Sequence, residues 1–296
     1  MVNYGSMEKA ILKTLIYSDI FDYPLKVYEI HKWLIGKKIA FQSLEKTLIT
    51  LSEKGKIGNK KNYFFLKGRE SLVKAREQKE KQSKNFFLKA EISVLFLKLI
   101  PTLKLVGISG GLALNNADSS DDIDLFLITA KNRLWISRIL VIFILDLLRV
   151  RRKAKMKGKS VAGKICLNIL IEDDKLEQIN KDIFVAHEVL QMKVLWQRSG
   201  VYSKFLSDNA WVFEFLPNWI GPSESEGDRL QNAKHFDKGG KKQKSFLLEN
   251  LAKKFQLRIM QKPQGLERIE NGGLYFHPND VRPQVLKEYR QRLKTM

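Results

Sequence analysis

The chain has little of what builds disulfides, zinc sites or membrane spans. One of its 296 residues is cysteine, Cys166, so no disulfide can form within the chain. Cys166 sits in an apolar run and reads as a small core residue. A lone cysteine fits a reducing compartment, and Met1 to Gly5 carry no signal-peptide pattern, so a cytoplasmic location is expected. The four histidines, His31, His187, His235 and His277, are scattered without metal-ligand spacing. His187-Glu188 reads as an ordinary, partly exposed pair on a helix. No Walker loop and no Ser-His-Asp arrangement is present.

Long apolar runs are also missing. Leu134 to Val150 is shorter than the roughly 20 residues a bilayer requires, and Arg138 and Asp146 interrupt it. It is predicted to be a helix buried against a sheet. Acids are scarce: 32 Asp and Glu stand against 53 Lys and Arg, a formal net charge of +21. That excess points to nucleic acid, another polyanion or a membrane surface as partner class. With no span, nucleic acid rather than a membrane is the expected partner. Between Asp146 and Glu172 no acid occurs, while Arg149, Arg151, Arg152, Lys153, Lys155, Lys157, Lys159 and Lys164 do. The loop 149–164 is therefore expected to neutralise phosphates in a salt-dependent way. The oligomeric state is left open.

With 44% hydrophobic residues the chain is able to bury a core, and its length suits two or three modest domains. Residues 1–68 form one unit. Ile11, Leu12, Leu15 and Ile16 recur at helical spacing, and Leu25 to Leu34 give a second helix closed by Gly36. Leu44, Leu48 and Leu51 mark a third, which Ser43 would cap. Gly55 to Leu66 reads as a hairpin with a basic tip. Three helices and a hairpin resemble a winged helix. In that likeness Gln42, Ser43, Thr47 and Thr50 face bases, and Lys56, Lys60 and Lys61 face phosphates. The alternative for this unit is packing on the rest of the chain or on another protein.

Residues 69–181 hold the chemistry. Arg69 to Ile100 is helical until Pro101, and Leu103 to Ile108 is a short buried strand. Ser109-Gly110-Gly111 ends that strand and Leu112 to Asn116 opens a short helix. Glycines at a strand-to-helix turn let backbone N–H groups approach an anion. Asp122-Ile123-Asp124 begins a further strand, placing Asp122 and Asp124 on one face and Ile123, Leu125 and Leu127 in a core. A register built on Asp121 would mix acidic and apolar residues on one face. Two carboxylates on one face repel each other unless a cation lies between them. A hard divalent ion, Mg²⁺ or Mn²⁺, suits oxygen ligands. Asn132 to Arg149 is predicted helical, and Lys164 to Ile171 is a third strand.

The order strand, Gly-Gly turn, short helix, Asp-x-Asp strand, helix resembles the nucleotidyltransferase superfamily of DNA polymerase beta. The matching residues are Gly110, Gly111, Asp122 and Asp124. The resemblance implies an α+β fold, a small mixed sheet with flanking helices. It implies transfer of a nucleoside monophosphate from an NTP to a hydroxyl acceptor, with Asp122 and Asp124 as catalytic metal ligands. Ser109, Gly110 and Gly111 would cradle the phosphates. Lys131, Arg133 or Arg138 follow the acidic strand and would lend charge to the triphosphate. Active members place a third carboxylate on the next core strand. Here the polar position within that strand is Asn168, with Glu172, Asp173 and Asp174 at its end as alternatives. Asn168 motivates two further readings, a non-catalytic nucleic-acid-binding regulator and a pseudoenzyme scaffold.

Residues 182–296 read as helical: Ile183 to Trp196, Tyr202 to Trp219, Ser245 to Gln261, and Val281 to Lys294 with Asp280 as its cap. A Gly-, Ser- and Lys-rich stretch near 223–244 is expected to be flexible.

Overall fold

The computed structural model describes residues 5–153, 156, 158–221, 242–260, 268–276 and 280–296. The stretch near 223–244 lies almost wholly outside the described residues, as do Lys155 and Lys157 of the basic loop and His277 to Asn279. The fold is a mixed α+β arrangement.

The N-terminal unit comprises α1 (Ser6–Asp19), β1 (Leu25–Lys26), α2 (Val27–Lys32), α3 (Phe41–Glu53), β2 (Ile57–Lys60) and β3 (Tyr63–Leu66). Its strands form an antiparallel sheet in the order β1-β3-β2. Leu44, Leu48 and Leu51 turn the apolar stripe of α3 onto Ile11, Leu15 and Ile30, which are fully or nearly fully buried. The third helix begins earlier than expected, at Phe41 with Ala40 at the cap position, so Ser43 is inside the helix. On the hairpin, Lys56 pairs with Glu8 and Lys61 with Glu77.

The long helix α4 (Leu72–Leu97) ties this unit to the rest of the chain. Arg76 is 2% exposed and bonds Glu29 at 2.8 Å, Glu80 at 2.9 Å and the Pro24 carbonyl at 3.2 Å. Its guanidinium lies 3.7 Å over the Tyr23 ring, and the Tyr23 hydroxyl donates to the Leu114 carbonyl at 2.7 Å. A buried charge is tolerable only when paired and hydrogen-bonded in this way.

Next come β4 (Leu103–Ile108), the single turn α5 (Gly110–Ala113), β5 (Ile123–Thr129), α6 (Leu134–Leu147) and β6 (Ile165–Glu172). β5 and β6 are parallel, which requires the crossover that α6 supplies. Alternation sorts the side chains as expected. Ile123, Leu125 and Leu127 join the cluster under α4 and α6, while Phe126 and Ile128 face the other way.

Beyond residue 182 the chain is less helical than its pattern suggests. Ile183 to Trp196 is not one helix: α7 (Ile183–Gln191) stops at Met192, and β7 (Lys193–Gln197) pairs with β4. The run Lys193-Val194-Leu195-Trp196 fits a pleated edge, and the unpaired side of β4 accepts it. The short helices α8 (Val201–Asp208) and α9 (Val212–Phe215) follow, then α10 (Lys242–Ile259). Next come β8 (Arg268–Glu270), β9 (Gly273–Tyr275) and α11 (Arg282–Lys294), with the Asp280 carboxylate accepting from the Arg282 N–H at 3.1 Å. β9 pairs with β6, so the main sheet has six strands in the order β7-β4-β5-β6-β9-β8. Three of them come from beyond residue 181.

Helices cover both faces of that sheet. α4, α6 and α10 pack on one, and α7, α8, α9, α11 and residues of the N-terminal unit on the other. Glu249 of α10 is buried and accepts the N–H groups of Trp135 (2.7 Å) and Ile136 (3.2 Å). It thus satisfies two of the donors that the start of α6 leaves unbonded.

Candidate functional site

The turn after β4 is held against the start of β5. The Ser109 N–H donates to the Asp124 carbonyl at 3.0 Å. Gly110 has φ +65°, a left-handed conformation that favours glycine, and a Cβ there would lie 3.1 Å from Asp124 Oδ2. At Gly111 a Cβ would lie 3.3 Å from the Asn116 carbonyl oxygen. Gly110 thus lets the turn approach the second aspartate closely, and Gly111 lets it close on the Asn116 carbonyl.

Asp122 immediately precedes β5, and Asp124 is its second residue. Cys166 sits opposite Asp124 on β6. One ligand atom each from Asp122, Asp124 and Cys166 lie within 4.8 Å of one another, a cluster able to hold a metal ion. The two carboxylates offer hard oxygen donors, which fit Mg²⁺ or Mn²⁺. Burial pushes the Cys166 thiol well up, with the charges of Asp124 and Asp122 adding to the effect. It stays protonated at neutral pH and is a weak ligand for a hard ion. Burial, then repulsion from Asp122, raises Asp124 to about 8. A carboxyl so disfavoured as an anion is one that a cation would stabilise. Arg152 binds Asp122 at 2.5 Å.

Sequence proximity misplaces the other cations. Lys131 pairs with Asp174 at 2.9 Å, and the Arg133 guanidinium donates to the Asn132 carbonyl at 2.6 Å. Both follow the far end of β5, and at about 3.3 Å per residue Asp124 and Thr129 are about 16 Å apart along that strand. Arg138 bonds Gln256 at 2.6 Å and stacks on Phe276. Among the described residues the cation that reaches the Asp122–Asp124 pair is Arg152, from the basic loop. A loop residue has no periodic signal that would reveal this partner.

The strand-end acids are also remote. Glu172 pairs in register with Thr129, at the opposite end of β5 from Asp124. Asp173 binds Lys104 at 3.1 Å. Asn168 is the extra residue of a bulge: Leu125 pairs with Leu167 and Phe126 with Ile169. It is 5% exposed and lines the same cavity as Asp124.

That cavity, of about 650 Å³, lies between the sheet, the N-terminal unit, α7 with the segment before it, and the start of α11. The sheet supplies Gly110, Gly111, Asp124 and Asn168, and the N-terminal unit supplies Tyr17, Phe21, Tyr23 and Trp33. α7 supplies Phe184, His187, Glu188 and Gln191. Its size is that of a small-molecule site. The chain matches no protein-family model, no curated protein and no solved structure. What the site does is therefore argued from its own groups.

Two of those groups are more than an ordinary surface pair. His187 is buried, stacks on Tyr17 at 4.3 Å, and burial pulls its imidazole down to about 3. Glu188, raised to about 7 by burial, faces the cavity and accepts from Gln191 at 2.5 Å. Helical periodicity marks His187 as facing inward but gives no sign of a cavity there. Among the described residues no helix is long and apolar enough to cross a membrane.

Proposed function

We propose that this protein is a metal-dependent nucleotidyltransferase that moves a nucleoside monophosphate from an NTP to a hydroxyl acceptor. One observation carries the reading: the Gly110-Gly111 turn and Asp124 share a cavity wall, with Asp122 within metal-bridging reach of Asp124. Asp122 and Asp124 hold the Mg²⁺ or Mn²⁺. Such an ion, when bound, neutralises phosphate charge and lowers the pKa of an acceptor hydroxyl. The Ser109–Gly111 turn receives the β- and γ-phosphates, where the absence of Cβ atoms permits close approach. The site's cation is Arg152 rather than Lys131 or Arg133. The acceptor hydroxyl, held in line by the cavity, loses its proton to water as its oxygen attacks the α-phosphorus and pyrophosphate leaves. Asn168 is unable to take the acceptor's proton and serves as a hydrogen-bonding group beside Asp124.

A nucleic-acid-binding role for loop 149–164 has less support. Arg151 and Arg152 there are paired with Asp146 and Asp122, and on the wing Lys56 and Lys61 pair with Glu8 and Glu77.

The test is incubation with each α-labelled NTP, Mg²⁺ or Mn²⁺, and a small-molecule extract or RNA. Labelled product is expected with one NTP. Asp122→Ala and Asp124→Ala should each cut it by at least about a hundredfold. Labelling that survives the double change would reject this site.

A further inference from the structure

The cavity is acidic in a strongly basic chain. Among the described residues no lysine lines it, although Lys and Arg number 53 in the whole sequence. Its carboxylates are Asp124, Glu188 and Asp280. Its two arginines are already engaged: Arg268 binds Glu270 at 2.8 Å, and Arg282 binds Asp182 at 2.5 Å. Among the described residues such a wall offers phosphate no lysine, and only arginines that already hold carboxylates.

Acceptors without donors add a second, independent sign. The Asn116 carboxamide oxygen and His187 Nε2 are both buried without a hydrogen-bond partner, and both residues line the cavity. His187 is 7% exposed, and in its Nδ1–H tautomer the partnerless Nε2 offers a lone pair into the cavity. Orphaned buried polar atoms are costly and ask for a partner on a bound molecule, a donor in the case of the Asn116 oxygen. The neighbouring wall is aromatic: Tyr17 lies parallel to the His187 ring, and Trp33 lies 5.4 Å from it. A carboxylate beside a buried lone pair suits an ammonium group.

We infer that the wall formed by Tyr17, His187 and Glu188 is a subsite for the ammonium group of a small, hydroxylated amine. That this amine is the acceptor rests on the nucleotidyltransferase reading; the subsite itself does not. In this arrangement the N-terminal unit closes a small-molecule pocket instead of reading DNA. Among the described residues, Tyr17, His187 and Glu188 offer a polyanionic acceptor such as an RNA end no cation.

Calorimetric titration of the full chain in an amine-free buffer, with glucosamine and glucose as paired probes, tests this. The two sugars differ at one position, an ammonium in place of a hydroxyl. Glucosamine should bind at least about tenfold more tightly, as a charged hydrogen bond implies. Glu188→Gln, close in shape, should abolish the difference, and His187→Phe should reduce it while keeping a flat ring. Asp122→Asn should leave it intact, since Asp122 is outside the lining. That last arm separates failure of the subsite from failure of the metal-site reading. Equal affinity for both sugars, binding of neither, or an amine preference that persists in Glu188→Gln would overturn the inference.

Discussion

Asp124→Asn should make the metal-free protein more stable at pH 8, by about 5 °C in melting temperature, while abolishing activity. The sign follows from the raised pKa. A carboxyl held near 8 in the folded state and near 4 in the unfolded chain keeps its proton on folding between those values. Its contribution to stability is complete below pH 4 and is lost as pH rises towards 8. Replacing it with the neutral amide removes that loss. Melting curves in EDTA at pH 5 and pH 8 should converge for wild type and variant at the lower pH and separate at the higher. Addition of Mn²⁺ should raise the wild-type midpoint, because a ligand that binds only the folded state stabilises it, and should not move the variant. A variant less stable than wild type at pH 8 would mean that Asp124 is satisfied by protein groups and does not await a cation.

Arg76→Met should cost about 3–5 kcal/mol, the penalty for breaking a buried ion pair from one side. Glu29, itself 7% exposed, would lose the guanidinium while still accepting from the Lys26 N–H at 2.8 Å. Glu80 would keep only the 3.8 Å contact with Lys26 among its cationic partners. The damage reaches the cavity, because Tyr23 lies beneath Arg76 and bonds Leu114 just past the glycine turn. NTP binding should weaken along with stability. The double change Arg76→Met, Glu29→Met should recover much of the loss, since removing both partners strands neither. Denaturant unfolding of the three variants measures this. A single-variant cost below about 1 kcal/mol would show the pair to be solvated.

Periodicity decided how much of this fold and site was legible in the sequence. The period-2 alternation around Ile123, Leu125 and Leu127 set the faces of β5, and with them the common side of Asp122 and Asp124. Helical spacing located α1, α3, α4 and α6. Asn168 was readable as the polar position of its strand, although not as the extra residue of a bulge. What failed were contacts between segments distant in sequence. Lys131 and Arg133 looked close to the aspartates because they are near in the chain, yet a strand is extended and carries its two ends apart. Arg152, 30 residues beyond Asp122, has no local pattern to betray its partner. β7, β8 and β9 are three to five residues long, too short to show alternation clearly; β7 adds to the edge of β4, β9 to that of β6, and β8 to β9. The aromatic cavity wall was invisible for the same reason. Tyr17 and Trp33 pattern as ordinary core positions of helices, and only the docking of the N-terminal unit brings them beside His187 and Glu188.

The most direct test of the central claim is anomalous diffraction from crystals grown with Mn²⁺ and a non-hydrolysable NTP analogue. A manganese peak is predicted between the carboxylates of Asp122 and Asp124, with the triphosphate over Ser109 to Gly111. Manganese bound elsewhere, or a nucleotide that avoids the glycine turn, would contradict it.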